Sequence, residues 1–201
     1  MTDQDAPWTE FRYAVADVEG NGQRPADLVE LAIVLIDHGV IGDPLTWLVK
    51  PPRPITPLVG RIHGISNEQV AFAPSLADHA LDIKAIFDST IFVAHNAHVD
   101  LSLLTRELPG FRPAVVIDTL KLARRLLPGR SSYKLTTLAE ELKLATDMPA
   151  GLKPHRAAFD ALVCARLLTH LADGADLAAL LIDAKTTSCE GSTDDAAQTL
   201  F

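Results

Sequence analysis

The chain has few cysteines and no long apolar run, and each of these absences excludes a class of protein. Its 201 residues include only two cysteines, Cys164 and Cys189, which are too few for a disulfide framework or a four-ligand zinc site. No apolar segment approaches the roughly 18 residues that a membrane-spanning helix needs. The first ten residues carry three acidic side chains and no basic one, unlike a targeting segment. We therefore expect a soluble protein in the cytoplasm.

Basic side chains are also scarce, but they are unevenly distributed. The chain has 18 Lys and Arg against 26 Asp and Glu, a net charge of -8, which argues against a protein that coats nucleic acid nonspecifically. Residues 121–156 nevertheless hold eight basic and three acidic side chains. A basic segment within an acidic chain is typical of a protein that contacts a phosphate backbone. A solvated helix face is the alternative explanation.

The apolar content indicates a single domain followed by a short tail. Hydrophobic residues make up 48% of the chain, and a chain of this length can bury one substantial core but is short for two. From Lys185 onward the sequence is rich in Thr, Ser, Gly and Asp and offers almost nothing to bury. We predict one domain over residues 1–184 and a disordered C-terminal tail over residues 185–201.

Hydrophobic patterning predicts an α/β fold. Five segments have the apolar, β-branched character of strands: residues 11–18, 28–36, 45–49, 91–94 and 115–118. The first three are joined by short connections and predict an antiparallel meander. Helical spacing and capping signals predict helices at residues 66–69, 75–87, 100–108, 120–127, 135–144, 156–171 and 175–184. The expected architecture is a mixed five-stranded sheet flanked by helices.

Two carboxylates stand one residue apart at the end of the first predicted strand, Asp17 and Glu19. Side chains two apart on a strand point to the same face. Because adjacent like charges repel and raise each other's pKa, this placement costs free energy unless a cation lies between them. The pair is therefore a candidate metal site, and two solvated acids in a loop are the alternative.

Further acids and a histidine occur in matching contexts. Asp100 opens the helix after the fourth predicted strand, and His155 and Asp160 lie at the start of the long late helix. Oxygen ligands suit Mg²⁺ or Mn²⁺, and two such ions about 4 Å apart are the usual arrangement for displacement at phosphorus. The histidine is better suited to proton transfer than to binding Mg²⁺.

Three motifs in this order resemble those of the DEDDh (DnaQ-like) 3′-to-5′ exonuclease superfamily. They are Asp-Val-Glu at 17–19, His-Asn-Ala-His-Val-Asp at 95–100, and His-Arg-Ala-Ala-Phe-Asp-Ala at 155–161. The superfamily includes the proofreading epsilon subunit of bacterial DNA polymerase, ribonuclease T and oligoribonuclease. Residues 61–66 and 118–124 are similar to its His-Gly-Ile and Asp-Thr-Leu segments.

The resemblance implies a ribonuclease-H-like fold and hydrolysis from the 3′ end. It implies that two metal ions, Mg²⁺ or Mn²⁺, are held by Asp17, Glu19 and Asp160, with Asp100 acting through water. By the same resemblance His155 deprotonates the attacking water. The side chains that would contact the terminal nucleotide are Val18, Ile62, His63 and Asn96.

The sequence departs from the family pattern beside the metal ligands. Val18 and Gly20 stand where the family often has threonine, and Val99 stands where phenylalanine is usual. Leu58 occupies a position where an acid is common. None of these changes removes a metal ligand, so they bear on nucleotide preference and rate.

The sequence leaves the substrate and the partners open. The expected substrate is a single-stranded 3′ end. Both DNA and RNA remain open, because no motif in the sequence reports a contact with a 2′-hydroxyl. One alternative function is an accessory or proofreading subunit that acts mainly as a binding module, and another is an RNA-processing exoribonuclease. The terminal Leu200 and Phe201 resemble peptides that dock on the bacterial sliding clamp, which suggests a DNA polymerase or clamp partner; a frayed apolar end is the alternative.

Overall fold

A computed structural model of the protein describes residues 6–182 and contains one mixed sheet. Its strands are β1 (Arg12–Gly20), β2 (Leu28–Asp37), β3 (Val40–Ile41), β4 (Leu45–Leu48), β5 (Ile91–Ala94) and β6 (Val116–Asp118). The order across the sheet is β3-β2-β1-β5-β6, with β4 also on β2. β2 is antiparallel to β1, whereas β5 and β6 are parallel to it. The predicted α/β fold, with a meander and two crossover strands, is confirmed.

The sheet has six strands where the sequence predicts five, because the returning strand of the meander is broken. β3 and β4 both pair with β2, and Gly42 continues the register of β3 through its N–H bond to the Leu35 carbonyl. The register then shifts by one residue across Asp43 and Pro44. Proline has no N–H to donate to a ladder, so the break falls at a position that tolerates it. The hairpin itself turns at His38 and Gly39, which both have positive φ, as a tight two-residue turn requires.

Helices cover both faces of the sheet. They are α1 (Pro57–His63), α2 (Asn67–Val70), α3 (Ala80–Asp88), α4 (His98–Glu107), α5 (Thr119–Leu126), α6 (Leu135–Glu141), α7 (Ala157–Leu171) and α8 (Leu177–Leu181). The capping boxes predicted from Ser66 and Ser75 are present, although the second opens with a 3₁₀ turn. α6 ends before its predicted limit because Lys143 adopts a left-handed conformation. No helix within residues 6–182 is long and apolar enough to cross a membrane.

Strand periodicity divides the core into two layers and decides which face the acids take. Tyr13 and Val15 pack with α5, α6, α7 and α8, whereas Ala14 packs on the opposite face with α3 and α4. Because β1 continues to Gly20, Asp17 and Glu19 extend the odd-numbered series and point toward the α7 side. The fold therefore presents both carboxylates to the helix that carries the third motif.

The predicted tail over residues 185–201, with its terminal Leu200 and Phe201, lies outside the described residues. Residues 183 and 184, the last two of the predicted domain, also lie outside the described residues.

Candidate active site

Three carboxylates from two elements meet at the carboxyl end of β1. Asp17 and Glu19 lie in the last four residues of that strand, and Asp160 lies in the first turn of α7. One oxygen from each can be chosen so that all three lie within 4.8 Å of one another. The packing of α7 against β1 and β2 thus brings together acids that are more than 140 residues apart in the chain.

Asp100 reaches the same cluster from the other layer of helices. It is the third residue of α4, is only 5% exposed, and accepts a hydrogen bond from the Val18 N–H at 3.2 Å. Val18 stands between the two acids of β1, so this bond fixes Asp100 beside them. α4 follows β5, which is parallel to β1, and the two strands end at the same edge of the sheet. The four acids that the sequence singled out therefore form one group.

Burial and mutual repulsion disfavour the charged forms of these acids. Desolvation, and then the Asp100 charge, raises the pKa of Asp17 well above its usual value. Desolvation raises the pKa of Glu19 to about 8, with Asp160 as the next contributor, and the pKa of Asp100 to about 8. Desolvation also raises the pKa of Asp160 to about 6, partly opposed by His155.

The donor set fits divalent cations. All four groups offer carboxylate oxygens, the ligands that Mg²⁺ and Mn²⁺ prefer. Like charges this close are stable in the ionised state only when a cation compensates them. Asp17, Glu19 and Asp160 would contact such ions directly, and Asp100 is placed to complete the site.

The raised pKa values predict how the metal-free fold responds to pH. A carboxyl group with a folded pKa of about 8 binds a proton that the unfolded chain has released above about pH 4, so the contribution of Glu19 and Asp100 to stability is full at low pH and is lost as pH rises toward 8. We expect the Tm in EDTA to fall between about pH 5 and 8. Asp100→Asn should raise the Tm at pH 8 by at least about 2–4 °C, the equivalent of 1 kcal/mol in a domain of this size.

Differential scanning fluorimetry across this pH range tests the prediction. Asparagine keeps an oxygen to accept the Val18 N–H, so the substitution removes charge without removing that hydrogen bond. Added Mg²⁺ should stabilise the wild type more at pH 8 than at pH 5. A Tm in EDTA that rises with pH through this range would contradict the electrostatic description of the cluster.

His155 lies at the rim of the cluster. Its side chain is exposed, its backbone has a φ of 60°, and it immediately precedes Arg156, the N-cap residue of α7. The charge of His155 and a hydrogen bond from its backbone both lower the pKa of Asp160 against the effect of burial. The imidazole is therefore close to a candidate metal ligand and open to solvent, so a water molecule can reach it.

The four residues predicted to contact the terminal nucleotide are placed differently from one another. Ile62 is 38% exposed on α1, and Val18 is half-buried. Asn96 is half-buried, has a φ of 65°, and donates its backbone N–H to Asp118 at 3.0 Å. These placements leave side-chain contacts with a nucleotide as a prediction.

His63 is the most enclosed of the four. It is 3% exposed, and its Nδ1 accepts the Ile65 N–H at 3.0 Å. Its Nε2 is buried and has no hydrogen-bond partner among residues 6–182. Desolvation lowers the pKa of His63, which keeps the ring neutral. Its contact with a nucleotide stays a prediction that requires an approach to this buried edge.

Glu30 is a fifth acid beside the cluster that the sequence reasoning missed. It lies on β2 directly opposite Glu19 and is 3% exposed. Both of its oxygens are hydrogen-bonded to Arg156. The signal was available, because Glu30 is the one charged residue within the apolar run at 28–36.

The basic segment is only partly available to a ligand. Arg156 is paired with Glu30, Arg130 is paired with Glu141, and Arg125 donates to the Ala179 carbonyl. The bases of the segment whose side chains are exposed are Lys121, Arg124, Lys134, Lys143 and Lys153. α5, which carries the first two of these, begins at the carboxyl end of β6 and therefore at the edge of the sheet where the acids lie.

Comparison with known proteins matches this arrangement. A family model described as RNase_T: Exonuclease matches residues 14–168. The 3′-5′ exonuclease DinG of Bacillus subtilis (strain 168) is 36% identical over 157 residues, 75% of this chain and 16% of that protein. Exodeoxyribonuclease 10 of Escherichia coli (strain K12) is 40% identical over 141 residues, 70% of this chain and 60% of that protein.

Two solved structures of exonucleases have a similar fold. One described as Exonuclease X in complex with 5′ overhanging duplex DNA has a TM-score of 0.68 and 37% identity, and the match covers 81% of this chain and 90% of that one. The nuclease domain of 3′hExo, described as a DEDDh family member bound to rAMP, has a TM-score of 0.65 at 18% identity. The second match supports the fold alone.

The fold and the clustered acids define a ribonuclease-H-like nuclease domain. Within that class the chain belongs to the exonuclease family, as its DEDDh motifs predict. It carries a 3′-to-5′ exonuclease domain, whereas it spans only 16% and 60% of the two curated relatives described above.

Proposed function

We propose that the protein removes nucleoside 5′-monophosphates from single-stranded DNA 3′ ends by metal-dependent hydrolysis. The observation that carries the proposal is the group of Asp17, Glu19 and Asp160 oxygens within 4.8 Å of one another. The names of two similar proteins, an exodeoxyribonuclease and an exonuclease bound to DNA, support DNA over RNA.

The four acids would bind the metal ions in the proposed mechanism. Asp17, Glu19 and Asp160 would hold two Mg²⁺ or Mn²⁺ ions, and Asp100 is held beside them by the Val18 N–H. When bound, the ions lower the pKa of water and stabilise charge on the leaving 3′-oxygen. The buried setting of the acids strengthens every such electrostatic interaction.

His155 acts as the general base in this proposal. Its exposed imidazole takes a proton from the attacking water as the oxygen approaches phosphorus. It keeps that proton only briefly, because solvent reaches the ring. The nearby Asp160 carboxylate stabilises the imidazolium that forms.

A panel of end-labelled oligonucleotides tests the substrate class. Matched DNA and RNA strands, and a DNA duplex with a 5′ overhang, are incubated with the purified protein and Mg²⁺. The proposal expects single-stranded DNA to be degraded fastest. Faster loss of RNA would favour the exoribonuclease alternative, and faster loss of the recessed duplex end would move the substrate to paired DNA.

The alternative function, an accessory or proofreading subunit that acts mainly as a binding module, would use the same fold. A binding module has no need of a complete set of acids, and this chain retains all four. The DNA polymerase III PolC-type of Bacillus subtilis (strain 168) is 31% identical over 166 residues, which supports a polymerase or clamp partner as a proposal. The peptide proposed to dock on the clamp, ending in Phe201, lies outside the described residues.

Exposed bases on α5 are proposed to contact the phosphate backbone of the substrate. We expect Lys121→Ala/Arg124→Ala to weaken binding of a single-stranded oligonucleotide and to flatten the plot of log Kd against log salt. The expected change in slope is about 0.7 per lost contact, because each neutralised phosphate releases counterions. Fluorescence anisotropy at several salt concentrations measures it.

The matched control removes the same charge from the other edge of the sheet. Arg12 begins β1 and Arg112 precedes β6, so both lie near the amino ends of strands whose carboxyl ends carry the site. Arg12→Ala/Arg112→Ala should leave the slope as it is in the wild type. Equal slopes for both double variants would show that Lys121 and Arg124 do not contact phosphates and are only exposed side chains on the surface of α5.

A further inference from the structure

A partly buried ion pair joins β2 to the start of α7 beside the candidate metal site. The Arg156 Nε donates to Glu30 Oε2 at 2.9 Å, and its Nη2 donates to Oε1. The backbone N–H of Ala157 donates to Glu30 Oε2 at 3.0 Å. Glu30 thus accepts hydrogen bonds from three donors of one segment. Two of them come from the guanidinium group of Arg156, which binds the carboxylate in a bidentate manner.

The ion pair compensates two unfavourable features of the fold, a like-charge contact in the sheet and unpaired N–H groups at the start of α7. Glu30 lies directly opposite Glu19 in the antiparallel ladder, where like charges are destabilising. The start of α7 also has free N–H groups, and Arg156, its N-cap residue, offers no side-chain cap. The Glu30 carboxylate satisfies one of these N–H groups, and Arg156 compensates the charge of Glu30.

The same segment carries two of the proposed functional groups. His155 immediately precedes Arg156, and the Arg156 carbonyl accepts the Phe159 and Asp160 N–H groups at 2.9 and 3.1 Å. Any movement of Arg156 away from β2 would therefore move His155 and Asp160 together. Asp17 and Glu19 would stay behind, because the ladder with β2 holds them.

We infer that Glu30 and Arg156 are a positioning pair, which holds His155 and Asp160 in register with Glu19 and thereby sets the turnover rate rather than substrate affinity. The inference rests on the proposed function. Glu30 acts through Arg156 and Ala157, whose N–H groups bond both of its oxygens. It is not among the three carboxylates whose oxygens lie within 4.8 Å of one another.

Steady-state kinetics on single-stranded DNA tests the pair. Glu30→Gln keeps the shape of the side chain but cannot balance the guanidinium charge. Partners that orient metal ligands typically contribute 10–100-fold, so kcat should fall by about that factor while KM stays within about threefold of the wild type. Arg156→Lys keeps the charge and loses the fork, and it should give an intermediate kcat.

A double variant separates positioning from stability. Removing one partner of a buried pair leaves an uncompensated charge, whereas removing both does not. Glu30→Gln/Arg156→Gln should therefore recover Tm relative to Arg156→Gln. Its kcat should stay as low as that of either single variant, because the link between β2 and α7 is still absent.

Asp27 and Arg53 provide a control pair of the same type. Asp27 is 6% exposed and accepts two hydrogen bonds at 2.8 Å from the Arg53 fork. Asp27→Asn should lower Tm while leaving kcat within about threefold of the wild type. An equal loss of kcat in Asp27→Asn would mean that turnover simply follows stability and would overturn the inference.

Two further outcomes are decisive. A kcat that is unchanged in Glu30→Gln, or restored in the double variant, would overturn the positioning role while the proposed function stands. An inactive wild type would overturn the proposed function, and the inference with it.

Discussion

Asp17→Asn is expected to abolish hydrolysis while leaving the protein folded. The substituted amide would offer one neutral oxygen in place of a carboxylate, so it would hold a divalent ion weakly in a cluster that depends on charge. Groups that merely orient metal ligands contribute about 10–100-fold, so loss of a ligand should exceed about 100-fold in kcat. Asp160→Asn is expected to behave in the same way, because its oxygen lies in the same 4.8 Å group.

The control for this prediction is Asp37→Asn. Asp37 ends β2 at the opposite edge of the sheet, and its side chain is half exposed beside Arg12. Its removal should leave kcat at the wild-type value. Circular dichroism checks that Asp17→Asn is folded. Removal of a charge that is disfavoured by burial and then by its like-charged neighbours should raise the Tm of this variant in EDTA. Turnover by folded Asp17→Asn above about a hundredth of wild type would remove Asp17 from the metal site.

His155→Ala is expected to lose about 10²–10⁴ in kcat, the usual contribution of a positioned general base. The imidazole must be neutral to take the proton from water, so wild-type turnover should rise with pH as the ring loses its own proton. The rising part of the pH–rate profile should disappear in the variant. Metal and oligonucleotide should still bind, since the acids and the exposed bases are unchanged.

His170 supplies the matched control for His155. It lies in the last turn of α7, the same helix, and its side chain is exposed. His170→Ala should keep both the rate and the shape of the pH–rate profile. Near-normal turnover by His155→Ala at neutral pH would make His155 a spectator, and loss of metal binding would make it a ligand.

The sequence predicts the composition of the site because local rules determine where its acids lie. The two-residue spacing of Asp17 and Glu19 on a strand places both on one face. A position in the first turn of the helix after β5 brings Asp100 to the same edge of the sheet as β1. Long helical periodicity places Asp160 at the start of α7. The contact of α7 with β1 and β2, which brings Asp160 to the other acids, follows from no local rule; the sequence indicates it only through the resemblance of the three motifs to the DEDDh superfamily.

Features that depend on contacts between distant segments escape sequence reasoning. Glu30 and Arg156 are 126 residues apart, and nothing local to either shows that they pair. The basic segment was interpreted as a set of available charges, yet Arg130 is paired with Glu141, and Arg125 bonds the Ala179 carbonyl. β3, at Val40–Ile41, lies outside the predicted strands for the same reason, since only the ladder with β2 reveals that the returning strand begins there and shifts its register before β4.

The measurement that tests the central claim most directly is a time course on a 5′-end-labelled DNA strand with protein stripped of metal. Before metal is added the strand should remain intact. After Mg²⁺ is added, the labelled strand should shorten one nucleotide at a time from its 3′ end and release nucleoside 5′-monophosphates, and EDTA should stop the reaction. Hydrolysis that proceeds equally well in EDTA, or a labelled strand cut first at internal positions, would contradict a metal-dependent 3′-to-5′ exonuclease built on these four acids.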